Sequence, residues 1–137
     1  MRCVKLGEAV RTFLDVPRFA VMGTLNPDGA PHLSVVWYER RGDELIVNTT
    51  QERVKARNLA TDPRVSLLVG ESDRYVRLDG VARAVAFGDE ALQDIRALGV
   101  RYDGEEAAER QVRTVWGKQD RVTYAIRVQH IYKYGFD

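Results

Sequence analysis

The chain has 137 residues, 45% of them hydrophobic and 30% charged, with a formal net charge of +1. This is the composition of one globular domain spanning 1–137, long enough for a modest core and too short for two. Near-neutral charge gives no global pull toward nucleic acid or membrane, so any electrostatic function is local.

In chain order, "KLGEAVRTFLD" (5–15) sets Leu6, Val10, Phe13 and Leu14 at helical spacing, and Pro17 ends the pattern. "RFAVMGTL" (18–25) is strand-like, and "NPDGAP" (26–31) is a turn cluster. "HLSVVWYE" (32–39) and "ELIVNTT" (44–50) are rich in β-branched and aromatic residues, with "RRGD" between them as a hairpin turn. A helix is expected over about 50–60, opened by Thr49 and Glu52 as a capping box and stopped by "TDPR" (61–64).

"RVSLLVG" (64–70) and "RYVRLDGVARAVAF" (74–87) read as strands, the second long, with Gly80 as a bulge or bend. Residues 89–103 and 105–116 read as helices, broken by "DGEE" at 103–106. "RVTYAIRVQHIYKYGF" (121–136) closes the chain as a strand. About six strands and four helices, joined mostly by short antiparallel connections, predict a mainly β protein: a small barrel or sandwich with peripheral helices. The glycine motifs of Rossmann and P-loop folds are absent.

Little in the sequence marks acid–base, nucleophilic or metal chemistry. His32 and His130 lie on separate strands, the single Cys3 rules out an internal disulfide, and no His, Cys, Asp or Glu cluster has metal-ligand spacing. Ser34 lacks a nucleophile elbow. Neither a signal-peptide core nor a run of membrane-spanning length is present, so a cytosolic location is expected, with no membrane partner.

The informative feature is "NTTQERVKARNL" (48–59), where Arg53, Lys55 and Arg57 crowd the start of a helix. A helix N-terminus already carries roughly half a positive charge, so cations there repel it. Free N–H groups, the hydroxyls of Thr49 and Thr50, and long cations together make a phosphate site, and a bound phosphate turns the repulsion into charge-assisted hydrogen bonds. Arg53 and Lys55 stand about 200° apart on an ideal helix, so both reach one anion only by curling in from either side.

The stretch "TLNPDGAPHLSVVWYERRGDELIVNTTQERVKARNLATDPRVSLLV" (24–69), continued by "RYVRLDGVAR" (74–83), resembles the pyridoxamine 5'-phosphate oxidase-like split-barrel flavoproteins, and among them the branch using the deazaflavin coenzyme F420. The resemblance implies a six-stranded antiparallel split β-barrel that forms a homodimer, with two cofactor sites at the interface. It implies that Arg53 and Lys55 bind the cofactor phosphate, with Thr49 and Thr50 nearby. Ser34, Val35, Val36 and Trp37 would run along the ring and side chain, and Asn48 and Asn58 would support the site. Tyr75 and Arg77 are the candidates for the half contributed by the second subunit. Trp116 is expected in core or interface packing.

True pyridoxamine phosphate oxidases resemble one another through an Arg-Leu-His-Asp-Arg segment and a Trp before an Arg-Leu-Ala-Pro ending. Here the chain ends "YAIRVQHIYKYGFD", which argues against vitamin B6 oxidation. The expected activity is therefore hydride transfer from reduced F420 to a small conjugated electrophile. FMN is the alternative cofactor, since both carry a phosphate on a ribityl chain. A non-catalytic flavin or deazaflavin carrier is the alternative role. A nucleic-acid-binding barrel is disfavoured by the near-neutral charge and the lack of a base-stacking sheet face.

Overall fold

The computed structural model describes residues 3–136. After α1 (Glu8–Asp15) come β1 (Ala20–Leu25), β2 (Pro31–Val36), β3 (Glu39–Arg41) and β4 (Glu44–Thr50). Then follow α2 (Val54–Thr61), β5 (Arg64–Glu71), β6 (Arg74–Phe87), α3 (Gly88–Asp103) and α4 (Glu105–Thr114). A 3₁₀ turn (Trp116–Lys118) leads into β7 (Arg121–Tyr134). The strands form one antiparallel sheet in the order β2-β1-β5-β6-β7-β4-β3.

That order puts β2 and β3 at opposite edges, although only Trp37 and Tyr38 separate them in the chain. A flat sheet of this width would hold its edges roughly 29 Å apart at the usual strand spacing. Three peptide steps reach about 11 Å at most. The sheet must therefore curl until its edges nearly meet, which makes it a split barrel with the helices outside. The expected mainly β split-barrel class holds, with seven strands among the described residues where six were expected.

The extra strand arises because the segment 32–39 does not stay in one ladder. Tyr38 turns fully into the core, and its hydroxyl donates to the Leu14 carbonyl at 2.9 Å. The chain then crosses to pair with β4. Leu6, Val10, Phe13 and Leu14, the predicted helical stripe, pack into the same core as Met22, Leu45, Leu67, Leu78 and Ile126. Gly80 sits at a register shift between β6 and β7, where a Cβ would collide with the Arg127 carbonyl. The break between α3 and α4 falls at Gly104, whose φ of 93° suits glycine.

The expected capping box does not form. Thr49 and Thr50 are held in the β4 ladder opposite Val122 and Arg121. The chain turns after them, with Arg53 N–H donating to the Thr50 carbonyl, and α2 begins only at Val54. Arg53 is the N-cap, in extended backbone, and no side chain caps the helix. Ladder pairing with β7 has claimed the residues that local sequence would assign to a cap.

Candidate functional site

The end of β4, the start of α2 and the start of β7 converge with the end of β2 and its link to β3, α3 and the 3₁₀ turn around a cavity of about 250 Å³. One part of its lining is polar and cationic: Asn48, Thr49, Thr50, Arg53, Lys55 and Arg121. The rest is apolar: Val35, Val36, Trp37, Ile95, Leu98 and Trp116. Such a surface suits an amphiphilic ligand with an anionic group and a flat apolar body.

Placing Arg53 before the helix resolves the angular difficulty on an ideal wheel. It approaches from the turn, whereas Lys55 approaches from the first helical turn, and both reach the same cavity. Burial lowers the Lys55 pKa, and the neighbouring Arg53 and Arg121 charges lower it further. Among the described residues, no carboxylate lies within ion-pairing distance of Arg53, Lys55 or Arg121. Thr50 Oγ1, on the same lining, is buried with no hydrogen-bond partner. Unpaired buried polar groups and uncompensated cations both cost stability, and a bound anion relieves both.

On the apolar side, Trp37 stacks on Tyr102 with centroids 5.0 Å apart, and meets Trp116 edge-on at 6.1 Å. Trp116 packs over Gly99 of α3, where a Cβ would lie 2.8 Å from the indole. Trp116 therefore does the packing expected of it and also faces the cavity.

Of the residues predicted from the sequence, Val35, Val36, Trp37, Asn48, Thr49, Thr50, Arg53 and Lys55 line the cavity. Ser34, Asn58, Tyr75 and Arg77 do not. Ser34 Oγ is buried without a partner on β2. Asn58 is buried and donates to Thr24 Oγ1 at 3.0 Å and Asn26 Oδ1 at 2.9 Å, tying α2 to the end of β1. Its support of the site is indirect, through the placing of the helix.

Tyr75 and Arg77 lie on β6, where Tyr75 stacks on Tyr134 and Arg77 pairs with Asp79 at 3.1 Å. Sequence reasoning missed Ile95, Leu98 and Arg121, and gave Trp116 a packing role alone. Only the pairing of Arg121 with Thr50 across the β4–β7 ladder brings that cation in, and no local pattern announces it.

Curled sheet, peripheral helices and cationic cavity together define a split-barrel protein with its polar site beside the seam of the barrel. The sequence profile described as pyridoxamine 5'-phosphate oxidase matches residues 6–135, and the chain belongs to that family. Among solved structures, it is similar to a conserved hypothetical protein from Mycobacterium tuberculosis. That match has 31% identity and a TM-score of 0.78, covering 96% of this chain and 86% of the other. An F420 reductase shares the fold at 24% identity and a TM-score of 0.72, over 93% and 98% of the two chains. A heme storage protein from Vibrio cholerae shares it at 20% identity and 0.74, over 97% of each chain.

Proposed function

We propose that this chain is a homodimeric oxidoreductase that uses reduced F420 to reduce a small conjugated electrophile. The observation that carries the reading is the convergence of Arg53, Lys55 and the orphaned Thr50 hydroxyl on one side of a cavity whose other side is walled by Trp37 and Trp116. The cations and hydroxyl suit a phosphate, and the indoles suit a flat conjugated ring. The F420 reductase of the same fold and the Arg-x-Lys-x-x-Asn-Leu run of residues 53–59 support the deazaflavin over FMN.

A reduced deazaflavin, when bound, supplies the hydride. The chain's own residues bind, orient and exclude water. Arg53 and Lys55 would hold the phosphate, and the Thr50 hydroxyl would donate one further hydrogen bond to it. Val36, Ile95 and Leu98 keep the ring's surroundings apolar. Within one subunit the lining carries no carboxyl, imidazole or phenol, so the proton that completes the reduction comes from solvent or from a tyrosine of the second copy. Within one subunit it also carries none of the His, Cys, Met or Tyr side chains that ligate haem iron, which weighs against the role named for the heme storage protein.

The homodimer belongs to the same proposal. At about 250 Å³ the cavity is smaller than the roughly 300–1,000 Å³ of typical cofactor sites. A cofactor anchored there extends beyond it. The outer face of the sheet carries Leu33 and Val35, each 66% exposed, with Leu68 and Tyr132 both 44% exposed. Cross-strand pairs place Val35, Val21, Leu68, Arg77 and Tyr132 in one row. Val35 belongs both to this face and to the cavity lining. A second copy seated on the face therefore lies against the cavity and can complete it with Tyr75 and Arg77 of the partner subunit.

The test is an absorption titration of the purified protein with F420 and with FMN, followed by turnover of conjugated enones or quinones with whichever binds. Tight F420 binding with turnover supports the reading. Nanomolar FMN binding without F420 binding would move the chain to the flavin branch. Binding without any turnover would make it a carrier.

A further inference from the structure

Arg121, the first residue of β7, is only 9% exposed, yet it is not paired as a buried cation usually is. Its Nε donates to Asn48 Oδ1 at 2.7 Å, and its Nη1 donates to Gln119 Oε1. Both acceptors are neutral. Its Nη2 has no protein acceptor among the described residues, although the side chain lines the cavity. Burial and the Arg53 charge bring its pKa down to about 10. The opposing pull comes from Glu52, which is exposed and outside the lining.

The brace behind Arg121 is itself held. Asn48 Nδ2 donates to the Ala91 carbonyl and to Thr123 Oγ1, both at 2.9 Å. Thr123 Oγ1 donates in turn to Asp94 Oδ2 at 2.7 Å. With its donors used by α3 and β7, Asn48 has only its oxygen left to offer, and that oxygen fixes the guanidinium. The arrangement orients a cation without neutralising it.

We infer that Arg121 is a third anion-binding residue of this cavity, positioned by Asn48, and that with Arg53 and Lys55 it selects a ligand segment carrying two negative charges. The inference rests on the reading that the cavity holds the anionic tail of a cofactor. A single negative charge would leave the three cations with a net +2 in a half-dry space, whereas two reduce the remainder to +1. Two tails provide that chemistry: a phosphate monoester dianion, or a phosphodiester with a carboxylate beside it.

The experiment is equilibrium binding of FMN, riboflavin and F420 to the full chain as wild type, Arg121→Gln, Arg121→Lys and Asn48→Asp. Arg121→Gln should weaken whichever phosphorylated ligand binds by about ten- to a hundredfold and leave riboflavin unchanged. Arg121→Lys should recover part of the loss. Asn48→Asp keeps the cation but sets a carboxylate against it, and should produce the same selective loss. A purely structural Asn48 would instead weaken all ligands alike.

The second ionisation of a phosphate monoester lies near pH 6. If the dianion is a monoester, wild-type affinity for FMN rises between pH 5 and 7.5, and Arg121→Gln flattens the rise. If it is a diester with a carboxylate, F420 shows no such rise and loses affinity when its tail carboxylates are removed.

Unchanged binding of phosphorylated ligands in Arg121→Gln, or an equal loss for riboflavin, would overturn the inference. Should neither FMN nor F420 bind the wild type, the cofactor reading fails, and inorganic phosphate becomes the probe. A phosphate-induced rise in Tm that is lost in Arg121→Gln and Asn48→Asp then upholds the inference, and an equal or absent rise in all variants overturns it.

Discussion

Trp37 and Tyr102 lie face to face, their ring centroids 5.0 Å apart and their planes 7° from parallel. Trp37 belongs to the two-residue link between the edges of the sheet, and Tyr102 comes from the last turn of α3. The Tyr102 hydroxyl donates to the Arg18 carbonyl at 2.6 Å and accepts from Tyr38 N–H at 3.1 Å. One residue thus holds the barrel seam closed and the apolar wall of the cavity upright. Tyr102→Phe keeps the stack and should cost about 1 kcal/mol for the lost hydrogen bonds. Tyr102→Ala loses both and should cost about 3 kcal/mol, with altered Trp37 fluorescence and weaker ligand binding. Denaturant titration with fluorescence detection checks it, and equal stability in the two variants would refute the role of the stack.

For Arg53→Ala and Lys55→Ala, cofactor binding should weaken by about 1.5–3 kcal/mol each, the range for hydrogen bonds to charged groups. Arg57 is exposed and outside the lining, so Arg57→Ala is the control and should change little. Stability of the unliganded Lys55→Ala protein should hold or rise by about 0.3–1 kcal/mol, because a cation leaves the positive end of α2. The sign follows from titration. Folding lowers the Lys55 pKa below 10.5, so its penalty is full at neutral pH and fades as pH rises through the folded value toward 10.5. Thermal melts with and without cofactor separate the two effects. Equal cofactor-induced stabilisation in all three variants would remove the phosphate site.

Gly80→Ala should destabilise the fold by about 2–3 kcal/mol without touching the cavity. The added methyl meets the Arg127 carbonyl and lies 3.2 Å from Val128 Cα, both backbone atoms that the β6–β7 ladder holds in place. Urea unfolding gives the value. A neutral result would mean that the bulge relaxes freely.

If the outer face of the sheet is the dimer interface, Leu33→Asp and Val35→Asp should give monomers. Burying an unpaired carboxylate there outweighs the apolar gain. Sedimentation velocity at micromolar concentration is the readout. A wild-type monomer with cofactor present would end the two-subunit site.

Asp43 accepts from Leu6 N–H at 3.0 Å and pairs with Arg11 at 2.9 Å, and these bonds hold its pKa below 3.8. Its stabilising effect is therefore complete above the unfolded value of 3.8 and lost as pH falls through the lower folded value. Asp43→Asn should be less stable than wild type at pH 7, and the gap should close in acid. A series of melts from pH 7 down through the acid range tests it, and a gap that does not narrow at all as pH falls below 3.8 would assign the effect to geometry.

Read alone, the sequence was enough to determine the mainly β class, most strand positions, the α1 stripe, the bulge glycine and the break between α3 and α4. Each of these is written in local periodicity or in a residue's backbone freedom. It also determined that Arg53 and Lys55 sit at a helix start beside two threonines, because those residues are neighbours in the chain. Only the tertiary structure decided that Thr49 and Thr50 pair with β7 instead of capping α2, since a long ladder outweighs one local cap. Only it brought Arg121 beside Thr50 and set Asn48 behind it, across a separation of 73 residues. Local patterns register what a residue's own backbone favours, whereas a site assembled by strand pairing depends on register between distant segments, which no window of sequence contains.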